Sequence, residues 1–422
     1  MTPASAAATP ASDERAAHGS ALIPAAAERL GDDPIFALNA EASARARAGE
    51  SIVNATLGAL LEDDGALAVL PSVLEAIGRV PAKQASAYAP ILGDPGFLRA
   101  VASDLLGRGP LAGQAVVAAT PGGTGAIHHA VQNFLEPGEA LLTTDRHWAP
   151  YRTIAEHAGR KVETFGMFDA TGRFDVPAFG SALLELAARQ RRLLVLLNFP
   201  CHNPTGYSLD DSEWRAIGDA LAAAAERVPV SILIDHAYAK FGEEGGRGFA
   251  THAARWADRA LVLVAWTASK SFAQYGARVG ALVAIARDDR ERASIQGALG
   301  FSCRGTWSNC NHLGQLAITS LLEEGELRER AEGERATLIR LLAERVAAFN
   351  REAARAKLLY PRYEGGFFVS VFAPDGERAA AAMREHGVYV VPMRGAVRVA
   401  LCSTPARDVP RLVEALAEGV RR

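Results

Sequence analysis

"WTASKSFAQYGARVG", Trp266–Gly280, sets a lysine between two serines and an arginine eight residues later, just before Val279-Gly280. It continues "ALVLVAWT" (Ala260–Thr267), an apolar run that reads as a buried strand. Lys270 is then either an ordinary surface lysine or an amine desolvated at the end of that strand. In the second case neighbouring cations and burial lower its pKa, and it can form a Schiff base. Arg278 could then clamp a phosphate dianion.

The runs around this stretch carry the same signature. "AVVAAT" (Ala115–Thr120), "EALLTTD" (Glu139–Asp145), "RLLVLLNF" (Arg192–Phe199), "VSILID" (Val230–Asp235) and "GALVAIA" (Gly280–Ala286) read as strands. Most are apolar on both faces, as in a mainly parallel sheet covered by helices. Helical stretches alternate with them. "DSEWRAIGDALAAAAERV" is one, with Asp210, Asp211 and Ser212 as N-cap candidates. The layout is α/β. From about Leu321 the pattern changes to one long charged helix, through Ala356, followed by short strands near "GGFFVSVFA" and "AVRVALCS". That change marks a second, smaller domain.

The chain has 422 residues, 49% hydrophobic and 22% charged, with a net charge of −3. This is an ordinary globular composition, and the charge argues against a nucleic-acid partner. Cys201, Cys303, Cys310 and Cys402 form no C-x-x-C pair and read as reduced cytoplasmic thiols. No apolar run is long enough to span a membrane, and no His/Cys/carboxylate cluster has metal-ligand spacing. The opening segment, rich in Ala, Ser, Pro and Thr, reads as a disordered tail over residues 1–20, neither signal nor transit peptide.

In open α/β sheets ligands bind at the carboxyl ends of the strands. After the first strand comes "TPGGTGA", where Gly122, Gly123 and Thr124 offer backbone N–H groups and a hydroxyl at a helix start. That is either a phosphate cup or a plain strand-to-helix turn. Trp148 follows the next strand, as a packed tryptophan or as a plate stacked on a flat ligand. "CHNPTGYS" is a turn in which Asn203 could offer its amide to a site; His202 beside it reads as a packed or surface histidine. Asp235 ends an apolar run, as a helix cap or as a buried anion awaiting a cation, and Tyr238 lies three residues on. Pyridoxal 5′-phosphate uses this whole set: a lysine for its aldehyde, a carboxylate for its ring nitrogen, donors for its phenolate oxygen and an anion site for its phosphate.

With those residues in view, the chain resembles a class I aminotransferase of fold type I, in the subgroup of aspartate and aromatic amino-acid aminotransferases. The likeness runs in order from about Asp33 to the C-terminus. It includes "DPIFALNAEASARA", "NATLGALLEDDGALAVLPSV", "YAPILGDPGFLRAV", "TPGGTGA", "CHNPTGYSL", "IDHAYAKFG", "SKSFAQYGARVG", "RGTWSN", "GGFF" and "VRVALCSTP". It implies a large domain, with a mainly parallel seven-stranded sheet between helices, plus a smaller α/β domain. By position these are an N-terminal arm with part of the small domain at 21–70, the large cofactor domain at 71–320 and the small C-terminal domain at 321–422.

The resemblance implies roles. Lys270 holds the cofactor and shuttles the proton between substrate Cα and cofactor C4′. Asp235 keeps the ring nitrogen protonated, Asn203 and Tyr238 donate to the phenolate oxygen, and Trp148 stacks on the ring. Gly123, Thr124, Thr267, Ser269 and Arg278 surround the phosphate, which the tyrosine matching Tyr88 reaches from the neighbouring subunit. A homodimer with shared sites follows. Arg398 pairs with the substrate α-carboxylate beside the Gly58 backbone. Arg304 of the partner reads a distal carboxylate, and Ile35 and Phe36 line the side chain. The implied reaction moves an amino group between an L-amino acid (aspartate, glutamate or aromatic) and a 2-oxo acid, with 2-oxoglutarate and glutamate as the shared pair.

Two departures stand out. Tyr151 and Asn198 replace histidines that members of the subgroup keep behind the aspartate and before the Asn-Pro-Thr-Gly turn. Arg394 in "VVPMRGAVRVA" is an added arginine, read as a solvated loop residue or as a second acid reader. A lyase on the same scaffold is the alternative reaction. A cofactor-binding regulatory protein is the alternative class, though the chain carries no helix-turn-helix pattern.

Overall fold

The computed structural model describes residues 21–27, 29, 34–107, 109–242 and 249–421. The expected disordered tail, 1–20, lies outside the described residues. Twelve strands are described: β1 Val53–Asn54, β2 Ala115–Pro121, β3 Ala140–Thr144, β4 Lys161–Phe165, β5 Leu193–Asn198, β6 Val230–Asp235, β7 Leu261–Thr267, β8 Val279–Ile285, β9 Phe368–Phe372, β10 Val388–Tyr389, β11 Val391–Met393 and β12 Ala396–Ala400. Seven of them form one sheet in the order β2-β8-β7-β6-β5-β3-β4. All run parallel except β8, which is antiparallel to both β2 and β7.

The central strands are apolar on both faces because each face has its own core. Leu193, Val195 and Leu197 of β5 pack into one core, and Leu194 and Leu196 into the other. β6 and β7 divide the same way, with Ile232, Ile234, Val262 and Val264 on one side and Leu233, Leu263 and Ala265 on the other. This period-two split is what burial under helices on both faces requires. β4 is the strand of this sheet that the sequence reading missed, as it missed the short β1, β10 and β11 outside it. "KVETF" lies at the sheet edge, with only its final phenylalanine buried. An edge strand needs no apolar run.

Helix starts follow their caps. Asp210 is the N-cap of helix Asp211–Ala225; its side chain accepts from the amides of Ser212 (2.9 Å) and Glu213 (3.0 Å). Glu213 returns an acceptor to the Asp210 amide at 2.8 Å, closing a capping box. Asp211 and Ser212 therefore sit inside the first turn. The long charged helix expected from Leu321 is broken: one helix spans His312–Glu323 and the next Gly325–Ala356, with Glu324 extended between them at φ −77°, ψ 119°.

A second, three-stranded antiparallel sheet has the order β11-β12-β9. β1 pairs in parallel with β10, and the chain after it is tied to the end of β12, where the Ala400 amide donates to Ala55 O and the Leu61 amide to Cys402 O. Fully buried Arg345, on the long helix, clasps the same region. Its guanidinium donates to Cys402 O (2.7 Å), Leu61 O (2.8 Å) and Asp63 (2.8 Å). The segment Thr56–Leu61 is thereby fixed, and it meets the chain after β7, where Lys270 Nζ donates to Gly58 O and the Leu60 amide to the Tyr275 hydroxyl. Among the described residues no helix is long and apolar enough to cross a membrane.

Candidate active site

The carboxyl ends of β5, β6 and β7 open into a cavity of about 380 Å³. It takes Asn198 and Asn203 from β5 and its turn, Asp235 and Tyr238 from β6 and beyond, and Thr267, Ser269 and Lys270 from β7 and beyond. The start of helix Gly122–Phe134 contributes Gly123 and Thr124, and Trp148, Arg278, Gly58, Arg398, Ile35 and Phe36 also stand in the wall. A slightly larger cavity, about 430 Å³, lies beside helix Gly325–Ala356 and holds none of these residues.

Lys270 sits in a single helical turn, Ala268–Ser271, capped by Thr267, whose hydroxyl accepts from the Ser269 amide at 3.1 Å. The capped turn lifts the ammonium off the sheet. Its Nζ donates to Gly58 O at 2.7 Å and lies 4.5 Å from the Tyr275 ring centroid. Burial, with Arg278 and Arg398 nearby, pushes its pKa down to about 8 against the opposing pull of Asp235. The neutral amine is therefore accessible close to physiological pH.

Asp235 ends β6 and is 6% exposed. The Tyr151 hydroxyl donates to Oδ2 at 2.6 Å and the Ala237 amide to Oδ1 at 3.2 Å. Burial pushes the Asp235 carboxyl up, while those donors and the charge of Lys270 pull it back. Burial also holds Tyr151 and Tyr238 well above the ordinary phenol value, so both remain protonated donors. Asn203 is buried; its Oδ1 has no hydrogen-bond partner among the described residues. A buried orphan amide oxygen calls for a partner from outside the chain.

The phosphate end is built from close approach. Gly122 has φ +72°, a left-handed conformation that favours glycine, and a Cβ there would run into the Arg278 guanidinium. Gly280 lies against the Gly122 backbone, and a Cβ on it would stand 2.7 Å from Gly122 Cα. Arg278 donates to Pro121 O (3.1 Å) and Tyr275 O (2.9 Å) and lies 3.4 Å from Ser269 Oγ. A helix N-terminus, an exposed guanidinium and the Thr267 and Ser269 hydroxyls thus converge on one corner, which suits a dianion. The amine, the buried acid and this corner together fit pyridoxal 5′-phosphate, with the Asn203 Nδ2 as the donor its phenolate oxygen needs. Among the described residues no cluster of three His, Cys, Asp or Glu could hold a metal.

At the opposite wall, Arg398 of β12 is 6% exposed, donates to Thr56 O at 2.7 Å and stacks 4.4 Å over the Phe368 ring. Trp148 is half-buried and meets Tyr151 edge-on, at 5.6 Å and 88°. Tyr88 and Arg304 are exposed and lie outside the cavity of their own chain. Arg304 donates to Ser308 Oγ at 2.7 Å. Arg394 occupies the exposed turn between β11 and β12, so the solvated reading describes it. Phe368 and Tyr275 were not singled out from sequence, where "GGFF" and "AQYG" gave no chemical signal. Leu57 and Ile127 also line the cavity and are equally silent in sequence.

Residues 50–416 match the family model described as aminotransferase class I and II. The chain is 31% identical over 381 residues to an aspartate aminotransferase of Pseudomonas aeruginosa, covering 87% of this chain and 92% of the relative. It is similar to a crystal structure of an aminotransferase from Anaerococcus prevotii, with a TM-score of 0.89 and 31% identity over 96% of this chain and 100% of the other. It is also similar to an aromatic-amino-acid aminotransferase from Burkholderia pseudomallei, covalently bound to pyridoxal phosphate. There the TM-score is 0.80 and the identity 28%, over 94% and 100% of the two chains.

Proposed function

The chain belongs to the aminotransferase class I and II family and is a pyridoxal-phosphate-dependent aminotransferase, and on that premise we propose which residues carry the reaction and which substrates it takes. The observation that carries the reading is one half-buried lysine facing a buried aspartate in the cavity at the strand ends. When bound, pyridoxal 5′-phosphate supplies an aldehyde that condenses with amines and a ring that accepts the electron pair of a broken Cα–H bond.

The chain's own groups do the rest. Asp235, held in place by its two donors, would keep a proton on the ring nitrogen. Asn203 and Tyr238 bind the phenolate oxygen. Arg278, Thr267, Ser269, Thr124 and the amide of Gly123 hold the phosphate, and Trp148 covers the ring. Arg398 takes the α-carboxylate in a two-pronged pair, which orients the substrate Cα towards Lys270. Lys270 Nζ is the amine that carries the cofactor covalently. As a free neutral amine beside the substrate Cα, Nζ would serve as the base that takes the Cα proton.

The substrates are dicarboxylic and aromatic L-amino acids, with 2-oxoglutarate and glutamate as the common pair. Two features support both classes. Ile35, Phe36, Leu57 and Ile127 give the substrate end an apolar wall, and Phe36 is 66% exposed there. Tyr88 and Arg304 stand exposed, free to enter a partner's site in a homodimer. The free cysteines, three of them buried, fit a cytoplasmic protein. The holoenzyme, given 2-oxoglutarate and 15N-labelled aspartate, phenylalanine or tyrosine, should pass label to the acceptor as 15N-glutamate. Release of pyruvate or ammonia without transfer would replace this reading with the lyase.

A further inference from the structure

Asn198 and Asp235 are paired residues at the ends of adjacent strands β5 and β6. The Asn198 side chain spends both its functions on the site. Its Nδ2 donates to Asp235 O at 2.8 Å, and its Oδ1 accepts from the Asn203 amide at 2.6 Å. One buried amide therefore sets the spacing between the main chains of Asp235 and Asn203, both of which line the cavity. Tyr151, 1% exposed on helix Pro150–His157, fixes the other end of Asp235 through its short bond to Oδ2.

We propose that Tyr151 and Asn198 are positioning residues that act through Asp235, Tyr151 by holding one carboxylate oxygen and Asn198 by locking the Asp235–Asn203 spacing. Cofactor affinity, and not only turnover, then depends on both. A phenol suits the role because it donates one proton and stays neutral throughout the working pH range. An imidazole at the same place would titrate. The groups that face this pair are Lys270, Tyr238 and, through stacking on the Tyr151 ring at 6.2 Å, His147. Burial pushes His147 down, and it pushes the nearby His202 down to about 3, so neither adds charge to the pair near neutrality.

The inference rests on the assignment of Asp235 to the ring nitrogen proposed above, so Asp235→Asn is included as a control. Apoprotein of each variant is titrated with pyridoxal 5′-phosphate, and the absorption band of each holoenzyme is followed against pH. Tyr151→Phe should weaken binding about tenfold to a hundredfold, the loss of a hydrogen bond to a charged group. Asn198→Asp keeps the acceptor for Asn203 but loses the donor to Asp235 O, and it should weaken binding and shift the band. Tyr151→His should recover affinity, with a ratio to the unmodified protein that changes across about pH 5–8. Binding within twofold for both Tyr151→Phe and Asn198→Asp, with a flat ratio for Tyr151→His, would overturn the proposal. Should Tyr151→Phe not fold, a flat ratio for Tyr151→His overturns it alone. If Asp235→Asn alters affinity and band while the other variants do not, only the positioning role falls. If Asp235→Asn changes neither, the assignment of Asp235 falls with it.

Discussion

At the scale of single residues, the lysine is distinguished by its surroundings. Lys240 is neutralised by Asp104 at 2.6 Å, whereas Lys270 has a carbonyl, aromatic rings and two arginines around it. A folded-state pKa of about 8 has a direct consequence. The rate at which apoprotein captures pyridoxal 5′-phosphate should rise about tenfold per pH unit below that value and level off above it, because only neutral Nζ attacks. Stopped-flow absorbance measures this; a rate that keeps climbing past pH 9 would mean an ordinary exposed lysine. The lysine, the aspartate and the glycine-threonine turn were legible in sequence because each follows an apolar run at the ligand edge. The Tyr151–Asp235 bond was not, since 84 residues separate the partners and only the fold brings the phenol behind the acid. Tyr275 and Phe368 were hidden for a related reason: an aromatic residue in sequence does not reveal whether it faces core or cavity.

At the scale of elements, the chain places chemistry where buried strands end and backbone groups come free. β5, β6 and β7 were readable because their apolar runs are continuous. β4 was not, because an edge strand half in solvent carries a mixed pattern. The break at Glu324 was passed over although Gly325 follows it, because the charged helix formers on either side of that glycine continue one helical pattern. Two substitutions test the element contacts. Gly122→Ala forces a methyl group into a left-handed position against Arg278, so it should cost about 1–2 kcal/mol in urea unfolding and weaken cofactor binding. Arg345→Leu leaves the Leu61 carbonyl without its donor, takes one of two donors from the Cys402 carbonyl and leaves Asp63 without its cation, for a loss of about 3 kcal/mol. An unchanged urea midpoint for either would remove the role given to it.

At the scale of the whole molecule, the chain leaves two large aromatic residues in the open, Tyr88 at 89% and Phe301 at 83% exposed. In the proposed homodimer a second copy would cover them and bring Arg304 to its partner's substrate end. Arg304→Leu should then reduce kcat/KM for aspartate and glutamate about tenfold to a hundredfold more than for phenylalanine. Mixing Lys270→Ala chains with Arg304→Leu chains should restore aspartate turnover, because each mixed dimer keeps one site with both residues intact. Equal losses for all substrates, or no restoration on mixing, would contradict shared sites. The central claim is the covalent role of Lys270, and the most direct test is borohydride reduction of the holoenzyme followed by peptide mass mapping. The expected result is a pyridoxyl adduct on the peptide that carries Lys270, lost together with the visible band in Lys270→Ala. An adduct on Lys83, Lys161, Lys240 or Lys357, or a band that survives Lys270→Ala, would contradict it.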